Sequence, residues 1–293
     1  MTKGDEEMKK QKVALTKEEK KKKTRQMVNQ VLICVVLFIF VVPLLFMLVT
    51  ALKPANQVMV KPFRLMGDHL AWENFARAWT TIPFGKFLWN SVFVGIASTL
   101  LSIITSTMAA YAFARIKFKG REFLFLAYLG TLMIPQQVLI LPLYLILKQI
   151  GWYNTYMALI VPPAFTAFGT FLMRQFFITI PYEVEEAAKI DGCNAFRIYY
   201  NIMLPMAKPG IASLAIFTFV DNWKSFLWPL IVISKEQFKT LPLGLYMFQG
   251  QYGTDWSALM CATTIAIVPS FIIYLLFQNY LQEGIAMTGL GGK

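Results

Sequence analysis

Six apolar segments, each long enough to cross a bilayer, constrain this chain more than any other feature. They run approximately over 28–52, 87–114, 122–147, 156–178, 207–233 and 257–281, and a helix of about 20 apolar residues spans the hydrocarbon core. The expected fold is therefore an all-α membrane protein with six transmembrane helices. The composition agrees: of 293 residues, 57% are hydrophobic and 15% charged, against about 25% charged in a soluble domain, which argues against an ordinary cytosolic enzyme. The first segment follows a basic stretch but carries no small-residue cleavage site, so it reads as a retained anchor. The domain plan is a basic tail (1–27), a six-helix transmembrane domain (28–285) and a C-terminal tail (286–293).

Lys and Arg tend to stay on the cytoplasmic side, and here 19 of them fall on one side of the expected topology against eight on the other. Both termini are therefore expected in the cytoplasm. Residues 1–27 hold a net +5 of the total +12, so the basic balance is partly a property of the tail, and nucleic acid is not the partner it implies. The Lys20–Lys23 run serves as a topology signal or as a contact with anionic lipid, where each basic side chain contributes about 1 kcal/mol. Cys34, Cys193 and Cys261 show neither a disulfide pattern nor metal spacing, and a lone His69 forms no multi-histidine site.

Prolines lie within five of the six segments (Pro43, Pro135, Pro142, Pro162, Pro163, Pro229 and Pro269). Membranes tolerate such breaks where neighbouring helices or a cavity satisfy the freed carbonyls. The second segment has no proline but carries Ser91, Ser98, Thr99, Ser102, Thr105, Ser106 and Thr107, small polar groups suited to close helix contact. Together these features favour a transporter over a passive anchor.

The most informative loop, about 181–208, lies between segments four and five. Pro181, Glu183, Glu185 and Glu186 form a helix start, with proline in the first turn and acids at the positive dipole end. Val184, Ala187 and Ala188 share a face, and Gly192 can end the helix in a left-handed conformation. A second short helix over 195–203 is expected to stop before Pro205. Small alanines and a sharp turn shape this piece to sit in a groove on another protein.

The spacing of Glu186-Ala187-Ala188, Asp191-Gly192 and Ile202-x-Leu204-Pro205 resembles the EAA signature of ABC importer permeases. With the six-segment layout, the Phe226-Leu-Trp228-Pro229-Leu230 run and the stretch 248–256, it is similar to the carbohydrate-uptake branch, specifically the shorter, MalG-like permease of a heterodimeric pair. The resemblance covers roughly 28–285. It implies a type I importer fold in the cell membrane, a second homologous permease, two ATPase subunits, an extracytoplasmic sugar-binding protein and a carbohydrate substrate. It makes Glu186, Ala187, Ala188 and Gly192 docking residues on the ATPase, with Asp191, Ile202, Leu204 and Pro205 shaping the loop.

No Gly-x-x-x-x-Gly-Lys-Ser/Thr phosphate loop occurs in the chain, so no catalytic residue, metal or cofactor is expected on it. The resemblance implies that ATP and Mg belong to the partner ATPase. Segment five carries Asp221, Asn222, Trp223 and Lys224 at apparent membrane depth, where a charge costs at least about 2.5 kcal/mol and faces protein or water. Asp221 and Lys224 can pair at three-residue spacing. These four residues and Trp228 are candidates for the translocation path, either as structural pairings or as sugar contacts. Lys224 departs from the Trp-Asn usual in the family, and leaves open an acidic sugar. A self-sufficient secondary transporter is the competing reading, but no internal repeat supports it.

Overall fold

The computed structural model describes residues 3–62, 64–250 and 253–290. Of the stretches read above, Gln251 and Tyr252, and the ends 1–2 and 291–293 of the two tails, lie outside the described residues. The described chain is almost entirely helical, with one two-stranded ladder at Gln249–Gly250 and Gly253–Thr254.

Three segments form continuous helices: Lys3–Ala51, Phe84–Arg115 and Trp256–Leu290. Their parts Lys22–Ala51, Phe84–Arg115 and Trp256–Leu276 are long and apolar enough to cross a membrane. Pro43 and Pro269 sit inside the first and last without ending them. The helices run on past the expected tail boundaries at both ends.

The other three segments depart from straight spans, each for a proline-related reason. Segment three is two pieces, Arg121–Met133 and Gln136–Gln149, meeting at 101°. Ile134 is extended (ψ 119) ahead of Pro135, because the proline ring excludes the helical conformation from the residue before it. Segment four divides into Tyr156–Ala164 and Ala167–Thr179, bent by 43° after the Pro162-Pro163 turn. A third bent pair, Ala195–Met206 and Lys208–Lys224, meets at 78°, and six spans are reached only if each of the three pairs counts as one.

Segment five corrects the expectation most. Its helix is Lys208–Lys224, Ser225 is extended (ψ 120), and Leu227–Val232 is a separate short helix. Pro229 explains the break, since its ring collides with the carbonyl four residues back, on Ser225, and offers no N–H to it. The Asp221–Lys224 quartet therefore lies in the last turn of a helix rather than midway along one.

Helix Phe84–Arg115 is the central element and packs on Ala167–Thr179 and Lys208–Lys224. Ser98, Thr99, Ser102, Ser106 and Thr107 are buried there, as their spacing predicts. Contact is tight enough that a Cβ on Gly169 would stand 2.6 Å from Ser106 Oγ and 2.9 Å from Leu214 Cδ1. Thr105 Oγ1 donates to Ala164 O at 2.6 Å, satisfying a carbonyl at the break in segment four as the membrane environment requires.

Side-chain contacts sort the connections into two ends. Arg115 donates to Phe177 O and Ile180 O, and Arg174 donates to Glu122 at 3.2 Å, so residues 115–122 and 174–208 share one end. At the other, Asn90 donates to Lys239 O at 2.8 Å, Asn74 to Lys53 O at 2.9 Å, and Arg77 to Asp255 at 3.2 Å. The alternation expected from the Lys and Arg count thus pairs the connections correctly. His69 is exposed in a connection at that second end, 3.7 Å from Glu73.

Candidate functional site

The loop end carries a compact two-armed element. Its first arm is helix Tyr182–Ile190, with Pro181 at the N-cap (φ −58, ψ 141) rather than in the first turn, and Glu183 and Glu185 in that turn. The helix stops as Gly192 adopts φ +80. Cys193 N–H reaches back to Ala188 O at 2.9 Å and Gly192 N–H to Lys189 O at 3.0 Å, the paired bonds of a Schellman turn. Nothing stands within 4 Å of a Cβ on Gly192, so the backbone angle alone demands glycine.

Asn194 then caps the second arm, its Oδ1 accepting from Arg197 N at 2.8 Å. This arm does not stop before Pro205: it runs from Ala195 to Met206 through a π-helical turn at Tyr199–Met203. Asn201, whose carbonyl Pro205 leaves without a donor, sits within that wider turn, which gives the ring the room an α-turn denies it. Tyr199 is buried, its hydroxyl 2.7 Å from Thr107 Oγ1 and its ring 5.4 Å from that of Tyr111.

The first arm has a buried root and an exposed tip. Glu185 is buried, 3.0 Å from Arg115 Nε, with 3% and 1% of the two side chains exposed. The Arg115 guanidinium also lies 4.3 Å over the Tyr182 ring and bonds Phe177 O and Ile180 O. Ala188 is buried beside Glu185, whereas Glu186, Ala187, Asp191 and Gly192 face outward. The expected Val184, Ala187 and Ala188 face is thus divided: a turn of about 100° per residue takes Ala187 to the surface and brings Glu185 inward. Ile190 is 87% exposed, and Phe196 and Tyr200 are also exposed apolar groups. Ile202 and Leu204 are half-buried against the core at this end, and Pro205 is exposed.

Sequence reasoning gave Glu185 only a dipole role and counted Arg115 only as a topology charge. The one local hint was spacing: Glu185 stands three residues before Ala188, on the same helical face as that small residue. A second clasp ties the neighbouring connection, with Arg174 donating to both oxygens of Glu122 at 3.2 Å, bonding Phe113 O at 3.3 Å and lying 4.2 Å over the Phe125 ring.

The expected path residues separate into two groups. Lys224 Nζ and Asp221 Oδ1 pair at 3.2 Å on the surface, with 69% and 76% of their side chains exposed. Trp223 is buried, stacked on Phe219 at 5.6 Å, and donates to Ala266 O at 3.1 Å. Trp228 is half-buried and donates to Ala158 O at 2.9 Å, and Asn222 bonds Thr218 O at 2.8 Å. Both indoles thus hold helices together, while the charged pair faces outward. Among the described residues no cluster of His, Cys, Asp and Glu could hold a metal ion.

Residues 102–287 match the family described as binding-protein-dependent transport system inner membrane component. The arabinooligosaccharides transport system permease protein AraQ of Halalkalibacterium halodurans is 36% identical over 258 residues, covering 87% of this chain and 92% of that protein. The diacetylchitobiose uptake system permease protein NgcG of Streptomyces coelicolor is 34% identical, with 85% and 83% covered. The sn-glycerol-3-phosphate transport system permease protein UgpE of Brucella melitensis is 33% identical, with 89% and 96% covered. Among solved structures, a chain of a bacterial ABC transporter that imports the acidic polysaccharide alginate superposes with a TM-score of 0.78 at 20% identity, over 87% of this chain and 95% of that one.

Proposed function

The chain belongs to the binding-protein-dependent transport system inner membrane components, as a sugar ABC transporter permease of the importer fold, and from that membership we propose that the element over 181–208 docks on a cytoplasmic ATPase. One observation carries this reading: the element is rooted by buried Glu185 and Ala188 while it presents Glu186, Ala187, Ile190 and Gly192 at a protruding tip. A tip with small residues, an acid and an exposed apolar side chain fits a cleft on a second protein, and its rigid root can pass force to the spans.

In this reading the loop end and both termini are cytoplasmic, in keeping with the excess of Lys and Arg there. This chain binds no nucleotide, and ATP with Mg is hydrolysed on two partner ATPase subunits. A second, homologous permease completes the translocation path, and an extracytoplasmic binding protein delivers the substrate to the opposite end. Helix Lys22–Ala51 is exposed along nearly all its length and buried only at Thr50–Ala51, which leaves its flank to lipid and to that second permease. ATP-driven closure of the ATPases then swings the spans between inward- and outward-facing states.

The substrate is a carbohydrate or a sugar derivative, since the relatives are named for arabinooligosaccharides, diacetylchitobiose and sn-glycerol-3-phosphate. On this chain Asp221 and Lys224 are the residues that face the path, whereas Asn222, Trp223 and Trp228 support it from within. The test is to tag the chain in its native cell, solubilise gently, and identify co-purifying proteins by mass spectrometry with ATP hydrolysis assayed alongside. Recovery of a second permease and an active ATPase is expected. A chain recovered alone, under conditions that preserve a known importer, overturns the proposal.

A further inference from the structure

The docking element is joined covalently to helices 167–179 and 208–224, and its buried apolar side chains pack with residues of both, yet its buried polar side chains, Glu185 and Tyr199, find partners on a third helix, Phe84–Arg115. Thr107, Tyr111 and Arg115 recur at four-residue spacing on that helix and so lie on one face. Each meets the element: Thr107 bonds the Tyr199 hydroxyl at 2.7 Å, Tyr111 packs on the Tyr199 ring at 5.4 Å, and Arg115 stands 3.0 Å from Glu185. Tyr111 also meets the preceding span, edge-on at the Phe177 ring 6.3 Å away, and Arg115 reaches the same span by bonding Phe177 O and Ile180 O. Its guanidinium lies over the Tyr182 ring, so one side chain closes the start of the first arm, the end of helix 167–179 and the end of helix 84–115 into a single joint.

A buried ion pair is weak evidence for stability, because desolvating both charges offsets their attraction. Here its effect is geometric, since moving either partner strands a charge in a low-dielectric site. Arginine makes this stricter, because its planar group is rigid: with Nη2 on both carbonyls, the direction of Nε toward Glu185 is fixed. Lysine, a point charge on a flexible stem, fixes no such direction.

We infer that Arg115, through Glu185, is a positioning residue for energy coupling: it makes the docking element and helix 84–115 move as one body, so that displacement of the tip is delivered to the central span. This rests on the docking role proposed above. Thr107 and Tyr199 hold the second arm to the same helix, which prevents the element from pivoting about Arg115. The loop is thus a lever with its fulcrum on helix 84–115, although its two covalent attachments lie on other spans.

The test uses the full transport complex in lipid nanodiscs, with the native cysteines replaced by serine and spin labels at Lys86, at the far end of helix 84–115, and at Arg197 on the second arm. The label-to-label distance is measured by double electron–electron resonance without nucleotide and after trapping with ATP, Mg and vanadate. In the otherwise native chain the same narrow distribution is expected in both states, since both labels ride on one body. In Glu185→Gln and in Arg115→Lys, the trapped state is expected to shift or split by several ångströms in the complexes that assemble. A merely structural role lowers the yield of complex but leaves the distance independent of state. Arg115→Lys decides the matter if Glu185→Gln fails to assemble, and the reverse also holds. A distance that changes on trapping in the native chain, or that stays fixed in both variants, overturns the inference. If the native chain binds no ATPase and no trapped state forms, the docking role itself fails, and the two failures are thereby told apart.

Discussion

Two interruptions of the apolar helices, the loop over 181–208 and the break at Ser225, carry acid–base pairs of opposite character. The pair at the loop is sealed, with 1% of Arg115 and 3% of Glu185 exposed, and has further bonds to two carbonyls. The pair at the break lies open, with 69% of Lys224 and 76% of Asp221 exposed. The difference is energetic as well as geometric. Removing one member of a buried pair leaves an uncompensated charge and costs about 3–5 kcal/mol, whereas an exposed pair contributes at most about 1 kcal/mol. A sealed pair fixes where a helix sits, and an open one leaves two charged groups available to a passing solute or a neighbouring subunit.

The largest expected effect falls on transport. Gly192→Asp combines a non-glycine residue at φ +80, at a cost of about 1–2 kcal/mol, with a new charge at the docking tip. Uptake is expected to be abolished while the protein stays in the membrane fraction, as judged by immunoblotting and labelled-sugar uptake. Normal uptake removes the tip from the coupling path. Next, Arg115→Met is expected to lower the stability of the solubilised chain by about 3–5 kcal/mol, read from denaturant unfolding. Arg115→Met combined with Glu185→Leu should recover part of it, because no charge is then stranded while the Phe177 and Ile180 carbonyls still lack their donor. A loss no greater in the single variant than in the double one abolishes the contrast between the two breaks.

A smaller effect is expected from Thr107→Val, which removes the partner of the buried Tyr199 hydroxyl at a cost of about 1–2 kcal/mol. Its unfolding midpoint should fall between those of the native chain and Arg115→Met. The smallest is expected at the open pair: Lys224→Met should alter stability by no more than about 0.5 kcal/mol while reducing sugar uptake severalfold. A destabilisation as large as that of Arg115→Met means that the open pair is structural after all.

Much of this architecture was legible in the sequence, because membrane spans announce themselves by length and apolarity. The serines and threonines of the second segment pointed to close helix contact, and Gly192 marked the left-handed turn that ends helix Tyr182–Ile190. The bends were not legible as angles. Prolines marked the sites of Pro135 and Pro229, but whether a helix passes through, as at Pro43, or breaks, as at Ser225, depends on neighbours that satisfy the freed carbonyls. The root of the loop was hidden for a different reason. Arg115 and Glu185 are 70 positions apart, and a long-range buried pair leaves no local periodicity. Charges on a membrane protein are read first as topology signals, so Arg115 joined the count that includes Lys117, Lys119 and Arg121. At segment five, the fact that Trp223 is a buried strut depended on Phe219 and on the Ala266 carbonyl, the latter contributed by another helix.

The most direct test places a photo-crosslinking amino acid at Ile190, the most exposed apolar side chain of the docking tip (87%), and, as a control, at Trp89 near the opposite end, which is 67% exposed. After irradiation of intact cells, adducts are identified by mass. A crosslink to the ATPase subunit is expected from position 190 and none from position 89. An ATPase adduct from position 89, or none from position 190 where the complex is otherwise intact, contradicts the assignment of this element as the docking site.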